Sequence, residues 1–116
     1  MYQKYWYQNG KSGYGNKYLK IGCKATYNIP YYKLTKDQKL NCDSYIDHID
    51  TCNSYLVGIR DDIIIAFLTF GISAVIDLIG TIIGGASIID DLKSAKSHYD
   101  KAANIYETIK KYGVAE

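Results

Sequence analysis

The sequence is short of proline and methionine, with one of each, and its first 33 residues contain no acidic side chain. It also lacks a continuous apolar stretch in the first 30 residues, so no secretory leader is visible there. No CxxC pair occurs, and a zinc site needs four ligands at recognisable spacing, so a structural zinc motif is excluded. Histidine is scarce too, with two residues. His48 stands beside Asp47 and Asp50, and His98 near Asp100, but carboxylates at those spacings fit a solvated helix face and make no ligand set or acid–base site. Gly10-Lys11-Ser12 matches the end of a phosphate-binding loop, yet Tyr5 occupies the place of the loop's first glycine. No serine or cysteine has a histidine and an orienting carboxylate at a local catalytic spacing. The chain therefore reads as a non-enzyme, with no cofactor and no metal.

At 116 residues the chain is one domain long, 1–116, enough to bury a core but not to split in two. Its formal charge of +2 hides an asymmetry: residues 1–33 hold six lysines, whereas residues 61–116 set five lysines against eight carboxylates. The basic part is also the aromatic part, with eight of the thirteen tyrosines and Trp6. Such a composition suits a membrane interface, with tyrosine and tryptophan at headgroup level and lysine on anionic lipid. It also fits a stacking groove for single-stranded nucleic acid, or a twisted hairpin with ordinary aromatic cross-strand pairs. Trp6, Lys17, Lys20 and Lys24 are the candidate surface-contact residues, with an anionic bacterial membrane as the partner and no nucleic acid.

Residues 2–29 read as β structure. Aromatic β-formers dominate "YQKYWYQ", Asn9-Gly10 is a hairpin signal, and "GYGN" at 13–16 adds turn residues. In the run "KYLKIGCKATYNI", Leu19, Ile21 and Cys23 share one face and Lys20, Gly22 and Lys24 the other. Pro30 closes the basic region, 1–33. Thr35 and Gln38 then make a capping box, the start of an amphipathic helix over 35–60. Its apolar stripe is Cys42, Tyr45, Ile46, Ile49, Cys52, Leu56 and Ile59. A second amphipathic helix, 92–113, carries Leu92, Ala95, Tyr99, Ala102, Ile105, Tyr106 and Ile109 on one side and is stopped by Gly113. The fold class is α+β: an N-terminal β-hairpin or small sheet, then two or three helices around a central apolar helix or helical hairpin.

The three cysteines read as one disulfide plus a leftover thiol in an oxidising compartment, the alternative being three reduced thiols packed as small hydrophobes in a cytosolic protein. Cys42 and Cys52 lie ten residues apart on one helix, roughly 15 Å, too far to bridge each other. Counting back from the end of a strand and forward from the Thr35 cap, Cys42 lies nearer Cys23 than Cys52 does, so a Cys23–Cys42 disulfide is expected, with Cys52 outside it.

Between the helices runs the apolar stretch Ile63–Ile89, in which Asp77 is the only charge. Its 27 residues exceed the roughly 20 that cross a bilayer as a helix. Ser73, Asp77, Gly80, Gly84 and Ser87 fall on one narrow stripe, and Gly80-x-x-x-Gly84 is a small-xxx-small motif for close helix approach in lipid. The alternative is a greasy central core element in which Asp77 needs a buried partner. This layout, over about residues 61–92, resembles in organisation the pore-forming domains of bacterial toxins: the hydrophobic hairpin of channel-forming colicins and the glycine-zipper ends of secreted Gram-positive antibacterial toxins. The resemblance leaves out the β layer and carries over no individual residue role.

These features lead to the expectation of a secreted antibacterial, membrane-permeabilising, bacteriocin-like toxin. Its leader would lie outside this chain, the 63–89 segment would insert and self-associate through Gly80 and Gly84, and Asp77 would line the path. A cognate immunity protein would be a natural partner. The competing readings are a small membrane-anchored immunity or partner protein and a soluble helical interaction domain.

Overall fold

A computed structural model describes residues 5–71, 73, 75, 79 and 85–116. The architecture is α+β. Four antiparallel strands form one sheet in the order β1 (Trp6–Lys11), β2 (Lys17–Gly22), β3 (Thr26–Ile29) and β4 (Val114–Ala115). Among the described residues three helices with defined bounds follow β3: α1 (Lys36–Leu56), α2 (Asp61–Phe70) and α3 (Gly85–Ile109). Ser73, Val75 and Ile79 are helical as well.

The first hairpin does not turn at Asn9-Gly10. Those residues lie within β1, opposite Leu19 and Tyr18, and the chain reverses over Ser12–Asn16. There the Ser12 hydroxyl accepts the backbone N–H groups of Tyr14 and Asn16, and Gly15 takes a φ of 79° that other residues reach only with strain. A second reversal at Cys23–Ala25 splits the run from Lys17 to Ile29 into β2 and β3, paired Leu19 with Ile29 and Gly22 with Thr26. Period-two alternation then buries Leu19, Ile21 and Ile29 on the face toward the helices.

Helix α1 starts on the expected capping box. Thr35 Oγ1 accepts the Gln38 N–H, and Gln38 Oε1 accepts the Thr35 N–H. The stripe of Cys42, Tyr45, Ile49, Cys52 and Leu56 is buried, and Ile46 is half-buried. The helix ends at Leu56, short of the expected 60, because Val57 is extended and Gly58 sits at φ 83°. On α3, Leu92, Ala95, Ala102, Tyr106 and Ile109 are buried, as the heptad-like spacing predicts. That helix ends at Ile109, ahead of the expected stop, and a 3₁₀ turn over Lys110–Tyr112 carries the chain to Gly113. That glycine leads into β4, passing so close to β3 that a Cβ would lie 2.6 Å from the Asn28 carbonyl oxygen.

Antiparallel α1 and α3 form a stalk in a molecule of 54 × 23 × 22 Å, with one apolar cluster toward each end. The cluster under the sheet holds Leu19, Ile21, Ile29, Cys42, Tyr45, Ile49, Ala102, Tyr106 and Ile109. The distal cluster joins Cys52, Leu56, Leu92 and Ala95 to Ile63, Ile64 and Phe67 of α2 and to Val75 and Ile79. Each fully buried aliphatic side chain here contributes about 1.5–3 kcal/mol relative to exposure.

The apolar stretch from Ile63 onward is not one continuous helix. Gly71, at φ 85° and ψ −173°, ends α2 after ten residues, and its N–H closes the last turn on the Phe67 carbonyl. Among the described residues no helix is long and apolar enough to cross a membrane. Asp77, Gly80 and Gly84 lie outside the described residues; Ser73 and Ser87 lie within them and are exposed.

Candidate functional site

Two surfaces follow from this plan, one at each end of the stalk. At the sheet end, strand parity sorts the basic residues. Trp6, Gln8, Tyr18, Lys20 and Asn28 share the outward face, since their cross-strand partners are Gly22, Lys20, Gly10, Gln8 and Lys20 respectively. Trp6 is one-third exposed and lies flat over Gly22, where a Cβ would come within 2.3 Å of the indole. Beside it an open groove crosses Gly10, lined by Gln8, Lys11, Tyr18, Lys20 and Asn28. Two ammonium groups and two side-chain amides there can take an anionic or hydroxyl-rich group.

The four surface-contact candidates do not form one patch. Trp6 and Lys20 share the outward face, and Lys20 pairs with Glu116 at 3.4 Å. Lys17 has the opposite parity and reaches the Tyr31 ring, 5.1 Å from its centroid. Lys24 is exposed in the turn at the other end of β2. Lys11, Gln8 and Asn28 are contributors that the sequence reasoning missed. Only Asn28 adjoins a buried neighbour, Ile29; β1 has none, and Lys11 shares the parity of its partner Lys17, so the groove becomes visible only through strand register.

Most of the tyrosines serve the interior rather than the surface. Tyr5 stands edge-on to Tyr99 and Tyr106, with centroids 5.4 and 5.2 Å away, and Tyr27 packs on Tyr106 at 6.1 Å. Tyr45 donates its hydroxyl to the Trp6 carbonyl of β1, and Tyr106 donates to the Ala25 carbonyl in the turn between β2 and β3, so each buried phenol ties the sheet to a helix. Burial pushes the Tyr45 phenol far above its ordinary range. Tyr7 donates to Asp50 at 2.7 Å, and that bond, with partial burial, pushes its pKa up to about 12. Tyr14 at the hairpin tip, by contrast, is almost fully exposed.

The expected Cys23–Cys42 disulfide is not present: all three cysteines are thiols. The reason is the second hairpin. Because β2 ends at Gly22, Cys23 sits in the turn, at the opposite end of β2 and β3 from the approach to α1. It packs beside Tyr5, while Cys42 is fully buried in α1, where desolvation and then Asp43 raise its thiol to about 12. A thiol held that far up is a packing group rather than a nucleophile at neutral pH.

At the distal end, burial is incomplete. Val57 and Phe70 are about three-quarters exposed and Ile65 is partly exposed, around the buried Ile63, Ile64 and Phe67. Asp61 and Asp62 open α2, with Arg60 drawing the Asp62 carboxyl below its usual range through hydrogen bonds. Among the described residues no three His, Cys, Asp or Glu side chains gather as a metal set. No protein family, curated protein or solved structure matches this chain. The geometry alone carries the functional argument.

Proposed function

We propose that the protein is a secreted antibacterial toxin that permeabilises membranes, kept in its water-stable form by the α1–α3 stalk. The observation that supports it is the division of the interior. Ile63, Ile64, Phe67, Val75 and Ile79 of the apolar stretch pack with Cys52, Leu56, Leu92 and Ala95 of the stalk in a cluster separate from the one under the sheet, and that end leaves Val57, Ile65 and Phe70 in water. A helix pair holding a separate apolar segment can release it without dismantling the sheet core. In this reading the Lys11–Lys20 groove and Trp6 meet an anionic bacterial surface, and the distal end inserts. Gly80 and Gly84 then pack helix to helix, and Asp77 faces the water-filled path.

The burial of Ile63, Ile64, Phe67, Val75 and Ile79 also favours a second reading, a soluble helical interaction domain with a finished core. Dye release from liposomes separates the two. The toxin reading expects leakage from anionic vesicles exceeding that from zwitterionic ones. Purified protein that leaves both intact at micromolar concentration overturns it. Harmlessness to bacteria combined with membrane fractionation in the producing cell would instead indicate a membrane-anchored immunity or partner protein.

A further inference from the structure

The two histidines, fifty positions apart in the chain, meet across the stalk: His48 Nδ1 of α1 and His98 Nδ1 of α3 are 2.9 Å apart. Their ring centroids are 5.1 Å apart, and Tyr55 of α1 stacks on His98 at 6.1 Å with an interplanar angle of 18°. The position is a seam. On α1, His48 adjoins Ile49, the last residue of that helix in the sheet cluster, and Cys52 begins the distal one; on α3, His98 falls between Ala95 of the distal cluster and Ala102 of the sheet cluster.

We propose that this pair is an acid-sensitive clasp, holding α1 against α3 and the distal cluster closed near neutral pH, and parting when both imidazoles are protonated. The chemistry follows from the atoms. A hydrogen bond between two Nδ1 atoms requires one ring to carry its proton there and the other to leave that nitrogen bare. Once both rings are imidazolium, both nitrogens are donors, both rings are cations, and the bond becomes a repulsion. The surrounding charges reinforce this. Desolvation, His98 and then Lys101 on α3 all lower the His48 pKa, and only Asp47 on its own helix opposes them. Asp50, two positions further along α1, is engaged by the Tyr7 hydroxyl of β1.

The sign is fixed by that direction. A histidine whose folded pKa is depressed supports the fold fully above its unfolded value of about 6.5 and loses that support as pH falls below it. The clasp is a property of the free protein. Only its use, to release the distal end at an acidic surface, rests on the toxin reading.

The test needs no lipid. An NMR titration of the two imidazoles in the intact protein should show coupled uptake, protonation of one ring opposing protonation of the other. Thermal unfolding at about pH 7.5 and pH 5 should show a fall in Tm, with binding of an apolar-surface dye rising as it falls. His48→Asn keeps an amide near Nδ1 but cannot titrate, so the acid-induced drop in Tm should be at least halved. Two imidazoles that titrate independently overturn the proposal in the wild-type chain alone. So does a variant with the same acid response as wild type.

Discussion

At the scale of single residues, the contacts separate neighbours that can give way from neighbours that cannot. A Cβ at Gly22 meets Cε2 and Cζ2 of the Trp6 indole at 2.3 Å, and a side chain on the outward face of an edge strand can rotate away. Gly22→Ala should therefore cost only about 0.5–1.5 kcal/mol, the scale of one displaced rotamer. It should also shift the emission of the only tryptophan to longer wavelength as the ring lifts into water. Gly113→Ala meets a backbone carbonyl at 2.6 Å instead, and backbone in a ladder has nowhere to go. Its penalty should reach about 1–3 kcal/mol in denaturant unfolding, with Trp6 emission unchanged. Tyr7 yields a pH-dependent case. Its phenol is held protonated up to about 12 against an ordinary 10.0, so the Tyr7–Asp50 bond supports the fold fully below pH 10 and loses that support as pH rises toward 12. The stability gap between wild type and Tyr7→Phe should be present at pH 8 and shrink above pH 10. A gap that stays constant to pH 11 would mean that ring packing, not the hydroxyl, is what Tyr7 contributes.

Individual elements respond to local chemistry where one segment contains all the partners. Thr35→Ala removes the acceptor for the Gln38 N–H and ends the reciprocal bond, so it should lower stability by about 0.5–2 kcal/mol in thermal unfolding. Thr35→Ser should restore most of it. That cap was legible in the sequence because donor and acceptor lie three residues apart, and the same holds for the α1 and α3 stripes, which need only a 3.6-residue period. The strand order β1-β2 and the inward set of Leu19 and Ile21 were legible for the same reason. Three features were not. Asn9-Gly10 looked like the hairpin turn, but cross-strand pairing extends β1 past it and hands the turn to Ser12–Asn16. The reversal at Cys23–Ala25 was hidden in an unbroken run of strand-like residues, and missing it produced the wrong disulfide. Strand β4 is two residues long, and its partner Asn28 is 86 positions earlier, so no local window contains it. At the candidate site, the basic and aromatic character was legible, but the groove was not, because Gln8, Lys20 and Asn28 become neighbours only through register.

For the whole molecule, the question is whether the two ends act separately. If the sheet end recruits the protein to anionic lipid, Lys11→Gln and Lys20→Gln, both in the groove, should each weaken vesicle binding by about 1 kcal/mol at low salt, and rising ionic strength should erase the difference. Lys17→Gln should matter less, since that ammonium sits over the Tyr31 ring. In the apolar stretch, Gly84→Ile separates insertion from ordinary packing. The change keeps the stretch apolar and raises its helix propensity, so a segment entering lipid should still enter. What it removes is the close approach of helix backbones that a glycine at every fourth position permits, so assembly should fail and leakage with it. In a finished soluble core the same branched side chain would overpack the site and cost about 1–3 kcal/mol of folding stability instead. Thermal unfolding measured beside vesicle leakage therefore gives two distinct signatures. Unchanged unfolding with leakage lost supports the pore. A destabilised variant of a protein that never opened vesicles assigns the distal cluster to the fold alone, with Phe70 and Val57 exposed for some partner other than a membrane.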